Sequence, residues 1–370
     1  MVNKINFTNV NPISKIDNDK IIKKIFSIIS KKNFILGNEV KIFEKNFSKL
    51  SKSKYSVGCA SGTDALLLSL MALGLKKEDE VIVPAMTYIS SGLSVLLNNN
   101  KLVLADIDDE TGLLSIDQIK KKITSKTKAI IPVNLYGQRV NLKKLRRIVG
   151  NKIFIIEDSA QSHFAFEENK KKISPNIYSD TSCYSFYPAK NLGAYGDAGL
   201  ISTNKKSLYN KLIAIRNLGS ISKNKHLLIG VNSRLDTIQS VVLNEKLKSI
   251  LNLNKKRRKI AKYYDKLFHS IKEIKITKTD AGSSRHLYVI RSKKRDKLIK
   301  YLAKKKIFCQ MHYPYSLNRL EAFKNKFKGI NLKNSEKWAR ECLSLPMYPG
   351  LKKKEVDRIV NEIKNFYLKF

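Results

Sequence analysis

Between Tyr55 and Ala160 the chain alternates strand-length apolar runs with helix-length patterns: "YSVGCA" then "TDALLLSLMALGL", "EVIVPA" then "ISSGLSVLLN", "KLVLADID" then "SIDQIKKKI", "KAIIPVN" then "NLKKLRRIV", and last "KIFIIEDSA". Parallel strands need a crossover of a dozen or so residues, usually helical, whereas antiparallel strands close on tight turns. The rhythm therefore predicts a largely parallel sheet covered by helices on both faces. "TSCYSFY" and "AGLISTN" follow close together and predict two more strands that add an antiparallel edge.

Before the alternation, residues 1–36 read as an arm with one short helix, "DKIIKKIFSIIS". After it, "SRLDTIQSVVLNEKLKSILNLNKKRRKIAKYYDKLF" is a long helical pattern that bridges to a smaller unit. That unit, residues 251–370, carries the strand "HLYVIRS" and the helices "KRDKLIKYLAKKKI" and "KKEVDRIVNEIKNFYLKF", which suit a compact α+β domain. A large domain, residues 37–250, precedes it, as expected for a 370-residue chain that exceeds one compact core.

The charge is the outlier: 72 Lys+Arg against 31 Asp+Glu gives +41, spread along the chain. The favoured reading is a solvated coat that keeps the protein soluble. A positive field that draws in an anionic small substrate is compatible with it. Nucleic-acid binding would need the basic residues gathered on one face beside a reading module. The densest run, "NKKRRKIAKYYDKL", is accompanied by no such signature. Cys59, Cys183, Cys309 and Cys342 lie far apart with no CxxC or metal spacing, which predicts reduced thiols and no metal site. The N-terminal stretch has no secretory apolar core and no window approaches a membrane span, so a cytoplasmic protein is expected.

Ligands of parallel α/β sheets collect where strands end and helices begin. Ser61-Gly62-Thr63 open a helix there, so free N–H groups and hydroxyls either hold a phosphate or simply cap the helix. Asp158 ends an apolar strand and needs a partner, either a cation such as a protonated pyridine nitrogen or the next helix terminus. Gln161, three residues on, is placed to reach a ring hydroxyl. In "SFYPAKNLGAYGDAG", Lys190 stands among small and aromatic residues, an environment that lowers a lysine's pKa and makes it a Schiff-base candidate. Ser185 precedes it as a phosphate donor, and Gly193, Gly196 and Gly199 permit tight turns. Tyr88 follows a strand and either lies flat on an aromatic ring or joins the core. A phosphate cradle, a stacking aromatic, a carboxylate for a ring nitrogen and a Schiff-base lysine are the parts that pyridoxal 5′-phosphate requires.

"SGTDAL", "EDSAQSH", "SFYPAKNLGAYGDAG" and "GVNSRLDTIQ" follow one another in an order and spacing that resemble the DegT/DnrJ/StrS family of nucleotide-sugar aminotransferases. The likeness runs from about Phe34 into the C-terminal part. It implies an α/β fold of the PLP-transferase fold type I, with a mostly parallel seven-stranded sheet in the large domain. It makes Lys190 the lysine that carries the cofactor and shuttles protons, with Asp158 on the pyridinium nitrogen. Gln161 would meet the ring oxygen, Tyr88 would stack, and Gly62, Thr63 and Ser185 would hold the phosphate. Asn232 would reach the phosphate of a partner subunit, so the resemblance implies a homodimer with a shared site. Arg234 would serve substrate or structure, and His163, His312 and Tyr313 would be either substrate contacts or, for the histidines, packed or hydrogen-bonded rings.

The family's exchange is ping-pong: L-glutamate leaves as 2-oxoglutarate, and a nucleotide-linked keto-hexose then takes the amino group. The stretch from Arg216 to Gln239 looks more like the branch acting on 3-keto sugars than on 4-keto sugars. Relatives with histidine in place of the lysine dehydrate sugars instead, and here the lysine is present. Departures are Ser159 and Ser162, where the family more often has alanine, and the lysine load. The competing reading is a non-catalytic basic nucleic-acid-binding or regulatory protein on the same scaffold.

Overall fold

The computed structural model describes residues 3–11, 14–166 and 176–369. Met1, Val2, Pro12 and Ile13 of the expected arm lie outside the described residues. The chain opens with α1 (Lys15–Lys31) and α2 (Asn38–Ser51). The alternation follows as β1 (Tyr55–Cys59), α3 (Gly62–Leu73), β2 (Glu80–Pro84), α4 (Ile89–Leu97), β3 (Lys101–Ala105), α5 (Ile116–Lys122), β4 (Thr127–Ile130), α6 (Leu142–Val149) and β5 (Phe154–Asp158). Next come β6 (Thr181–Ser185), β7 (Gly199–Thr203), α7 (Lys206–Ile215), the hairpin of β8 (Ser220–Ser222) and β9 (Lys225–His226), α8 (Thr237–Leu247) and α9 (Ile250–Phe268). The C-terminal part holds β10 (Lys275–Ile276), β11 (Tyr288–Arg291), α10 (Arg295–Lys304), α11 (Lys333–Glu341), β12 (Cys342–Leu345) and α12 (Lys353–Lys369).

The seven-stranded sheet has the order β1-β7-β6-β5-β4-β2-β3. Strands β3, β2, β4, β5 and β6 run parallel, while β7 is antiparallel to both β6 and β1. The expected antiparallel edge is thus corrected: β7 sits second from the edge and β1 closes it. The reason is that β7 pairs along its length with both β6 and β1, which leaves all five of its residues buried. The arm helix is also longer than the short one expected, at 17 residues.

Local chemistry sets the strand-to-helix junctions. Ser61 caps α3 by accepting from the Asp64 N–H at 3.1 Å, Asp64 lies in the positive first turn, and Gly74 leaves the helix at φ 67°. The sheet and its helices bury a core that includes Val57, Leu66, Leu68, Val81, Val83, Ile156 and Ile201. A second core joins Tyr264 and Phe268 of α9 to Tyr288, Ile290, Leu302 and Ile363. Ile5 of the arm belongs to this second core and bridges Ile307. In the other direction, Leu317, Phe323, Phe327 and Leu332 leave the C-terminal part and pack into the core of the large sheet. No helix among the described residues is long and apolar enough to cross a membrane. All four cysteines are free thiols.

Candidate active site

The C-terminal ends of the strands open into a cavity of about 650 Å³. Gly62, Thr63, Tyr88, Asp158, Gln161, Ser185, Lys190, His312 and Tyr313 all line it.

Asp158 is 5% exposed at the end of β5. Its Oδ2 accepts from the Ser91 hydroxyl at 2.8 Å and its Oδ1 from the Ala160 N–H at 3.1 Å. Since Ser91 spends its proton on the carboxylate, Thr87, 2.9 Å away, must donate to Ser91. Burial raises the carboxyl above its ordinary pKa, an effect these two donors and the nearby Lys190 only partly oppose. Among the described residues no cation forms an ion pair with it. Asp158 is thus a buried carboxyl without an ion-paired partner among the described residues, Lys190 acting on it only from farther away.

Lys190 sits in a turn where its N–H donates to the Tyr187 carbonyl at 2.8 Å. Desolvation lowers its amine to about 8, with Asp158 pulling the other way. Two glycines of this loop are needed for contact. A Cβ on Gly193 would stand 2.3 Å from the Pro188 carbonyl oxygen, and one on Gly199 would stand 2.1 Å from that of Ser61. Lys246, itself buried, fastens the loop by donating to the Gly193 carbonyl at 2.9 Å and lies 4.3 Å over the Tyr195 ring.

Gln161 is fixed by a main-chain donor: the Tyr136 N–H meets Oε1 at 2.7 Å, so the amide nitrogen must face the other way. There it donates to the Tyr313 hydroxyl at 2.9 Å and keeps a second N–H. The Tyr88 ring lies 5.6 Å from that of Tyr313 across the cavity mouth. At the opposite end the first turn of α3 meets Ser185, with Thr63 Oγ1 2.7 Å from the Ser90 hydroxyl. A Cβ on Gly62 would come within 2.5 Å of the Ser185 Cβ, so only glycine keeps this cradle open.

Three expected residues are not in this cavity. His163 is 0% exposed and packs against Tyr184 and Phe186 behind the wall, which corrects its reading as a substrate contact. Neither ring nitrogen makes a hydrogen bond of good geometry, and burial holds the ring neutral, with its pKa lowered to about 3. Asn232 is exposed and bridges Asn217. Arg234 donates to Asn217 Oδ1 at 3.1 Å. Within one subunit both stand apart from the cavity.

Sequence reading missed two parts of the wall. Phe7, Thr8 and Val10 of the arm line the cavity, and Phe7 stacks on His312 at 5.7 Å and 21°. His286, in the stretch before β11, lines it as well. The arm offered no local signal, because its pairing with Ile307 spans nearly the whole chain. The histidine of "RHLYVI" was visible, but nothing local says which way it faces.

A strand-end cavity holding a desolvated lysine, a buried carboxyl without an ion-paired partner and a glycine-opened helix terminus suits a pyridoxal-phosphate enzyme, and the aminotransferases are such a class. The chain belongs to the DegT/DnrJ/EryC1/StrS aminotransferase family, whose model matches residues 15–364. It is 36% identical to the pleiotropic regulatory protein of Geobacillus stearothermophilus, over 95% of this chain and 95% of the relative. It is also 36% identical to dTDP-3-amino-3,6-dideoxy-alpha-D-galactopyranose transaminase of Aneurinibacillus thermoaerophilus, over 90% and 91% of the two chains. The crystal structure of S. venezuelae DesV matches with a TM-score of 0.93 at 31% identity, covering 98% of each chain.

Proposed function

We propose that this protein is a pyridoxal 5′-phosphate-dependent aminotransferase that moves an amino group from L-glutamate to a nucleotide-linked keto-hexose, at a 3-keto carbon, for amino-sugar and surface-polysaccharide synthesis. The observation that carries the reading is the buried Asp158, without an ion-paired partner among the described residues, together with the desolvated Lys190. The residues fit the cofactor. Asp158 would hold the protonated ring nitrogen, Gln161 would give its remaining N–H to the ring oxygen, and Tyr88 would cover the ring. Gly62, Thr63 and Ser185 would bind the phosphate. When bound, pyridoxal phosphate supplies a carbonyl that carries the amino group and a ring that absorbs electrons. Lys190 Nζ, with its pKa lowered to about 8, takes the proton from Cα of L-glutamate and returns one at the sugar carbon that receives nitrogen. His312 and Tyr313 would border the substrate, and burial lowers the His312 ring to about 4, so it is neutral there.

The 3-amino sugar in the name of the A. thermoaerophilus relative supports the 3-keto position. A 4-keto sugar is the alternative, separated from it by which keto sugar is aminated. The name of the G. stearothermophilus relative favours a second reading, a regulatory protein without catalysis. The retained lysine and carboxylate argue against it. The deciding experiment is the absorption spectrum of the purified protein with pyridoxal phosphate. The reading expects a band near about 410–430 nm that L-glutamate converts to one near about 330 nm. No band, together with tight, steeply salt-dependent DNA binding, would favour the regulatory reading.

Gly62→Ala tests the cradle. Its methyl meets the Cβ and main chain of Ser185, which cannot swing aside, so β6 and the first turn of α3 must move apart; cofactor affinity is expected to fall by about tenfold or more, and the melting temperature without cofactor to fall as well. Fluorescence titration with pyridoxal phosphate reads it.

In this reading the enzyme is a cytoplasmic homodimer built of the arm 1–36, the large domain 37–250 and the small domain 251–370. Exposed Ile221, Leu227 and Ile229 around the β8–β9 hairpin support a covered face there. Asn232 and Arg234 then reach the partner's site. Mixing Lys190→Ala with Asn232→Asp subunits at limiting cofactor is expected to restore about a quarter of the wild-type sites, because one site of each mixed dimer is intact. If Asn232 served its own subunit, mixing would restore none.

A further inference from the structure

Two asparagines, Asn254 and Asn191, the second next to Lys190 in sequence, form a buried chain of amides that reaches His286. Asn254 of α9, 1% exposed, gives its Nδ2 to the main-chain carbonyl of His163 at 2.9 Å. A carbonyl only accepts, so the amide nitrogen of Asn254 must face it and Oδ1 must face Asn191. Asn191 Nδ2 donates to that Oδ1 at 2.9 Å and to the carbonyl of Ser284 at 3.0 Å. Both of its protons are thereby used, and its Oδ1 is left to face His286 Nδ1 at 3.0 Å. An amide oxygen cannot donate, so the proton of this contact sits on His286 Nδ1. Two backbone carbonyls thus decide the tautomer of a ring that meets neither of them.

The consequence is a ring with a bare Nε2. Among the described residues no hydrogen bond to that nitrogen is present, and His286 lines the cavity. Burial, reinforced by Lys190 and Arg257, holds the ring well below its ordinary pKa and therefore neutral. A neutral nitrogen lone pair repels a carboxylate, and the nearby cations make this part of the wall unsuited to an ammonium. The donor L-glutamate carries both of those groups, whereas a sugar offers neutral O–H donors. Resting on the transaminase reading, we propose that His286 is locked as the Nδ1–H tautomer and presents Nε2 as a fixed hydrogen-bond acceptor for a hydroxyl of the sugar substrate.

The chain contains 5 histidines, so ¹⁵N-histidine spectra of the holoenzyme are tractable, and the His286→Asn variant assigns the resonance. The expected result is the two-bond coupling pattern of a neutral Nδ1–H imidazole at pH 7, and a change at Nε2 when dTDP-glucose, UDP-glucose or GDP-mannose is added. A proton on Nε2, a charged ring, or no change with all three nucleotide sugars overturns the proposal. Two variants separate binding from scaffolding. Asparagine places an amide nitrogen where Nδ1 stands and nothing at Nε2, whereas glutamine places its terminal amide near Nε2 and loses the Asn191 contact. His286→Asn is expected to lose about tenfold in affinity for the nucleotide sugar that binds wild type, the value of one hydrogen bond, and His286→Gln to lose less. The reverse order would make His286 a clamp on the Lys190 loop and overturn the acceptor role. The glutamate-driven absorbance change is independent of this tautomer. A protein that passes that test and fails this one remains a transaminase without the proposed contact.

Discussion

Lys190→Ala is expected to abolish transamination while leaving the protein folded. With no amine at the strand ends, the proton at Cα of L-glutamate has no acceptor, and a loss of at least about 10³-fold is expected. Folding should survive, since the substitution removes an amine whose charged form is already disfavoured by desolvation. The pH dependence carries a second test. A lysine whose pKa is lowered to about 8 is protonated below that value and neutral above it. Only the neutral amine is a nucleophile, so the rate at which the apoprotein takes up pyridoxal phosphate should climb as pH rises through about 8 and then level off. An unperturbed lysine would still be climbing at pH 10. Stopped-flow absorbance measures this, and the alanine variant should give no such profile. A wild-type rate already flat at pH 7 would mean that another group takes up the cofactor.

Asp158→Asn is expected to change sign with the cofactor. The asparagine keeps the shape and can still accept from the Ala160 N–H, but it removes a buried negative charge that has no ion-paired partner among the described residues. Without cofactor the variant should therefore melt at a higher temperature than wild type, because the desolvation of the carboxylate is gone. With saturating pyridoxal phosphate the order should reverse. Breaking one side of a buried charge pair costs about 3–5 kcal/mol, or roughly 10²–10³-fold or more in cofactor affinity and turnover. Thermal melts with and without cofactor test the crossing. A variant that melts below wild type in both states would show that Asp158 serves only to cap the segment after β5.

Much of the site was legible because its chemistry sits at strand ends. A run such as "FIIEDSAQ" announces both a buried strand and the polar residues that leave it, so Asp158 and Gln161 could be placed at one mouth before any coordinates. The same holds for Gly62 and Thr63 after β1 and for Lys190 after β6. Sequence could not choose between the two readings of His163, substrate contact or packed ring, for the complementary reason. It stands five residues beyond Asp158, and the chain turns there so that its ring packs on Phe186 instead of facing the cavity. Local pattern gives the period of an element but not the direction of a side chain in the loop that follows it.

What the sequence alone determined, then, is the largely parallel α/β sheet, the alternation of its strands with helices and the set of groups collected at its strand ends. These follow from short-range periodicity and from the chemistry of residues a few positions apart. Only the tertiary structure decided that β7 lies inside the sheet, that Phe7 stacks on His312, and that Asn254 and Asn191 set the proton of His286. Each of those depends on segments between roughly sixty and three hundred residues apart. Close packing of separate elements brings them together, and no local preference of the chain encodes that meeting.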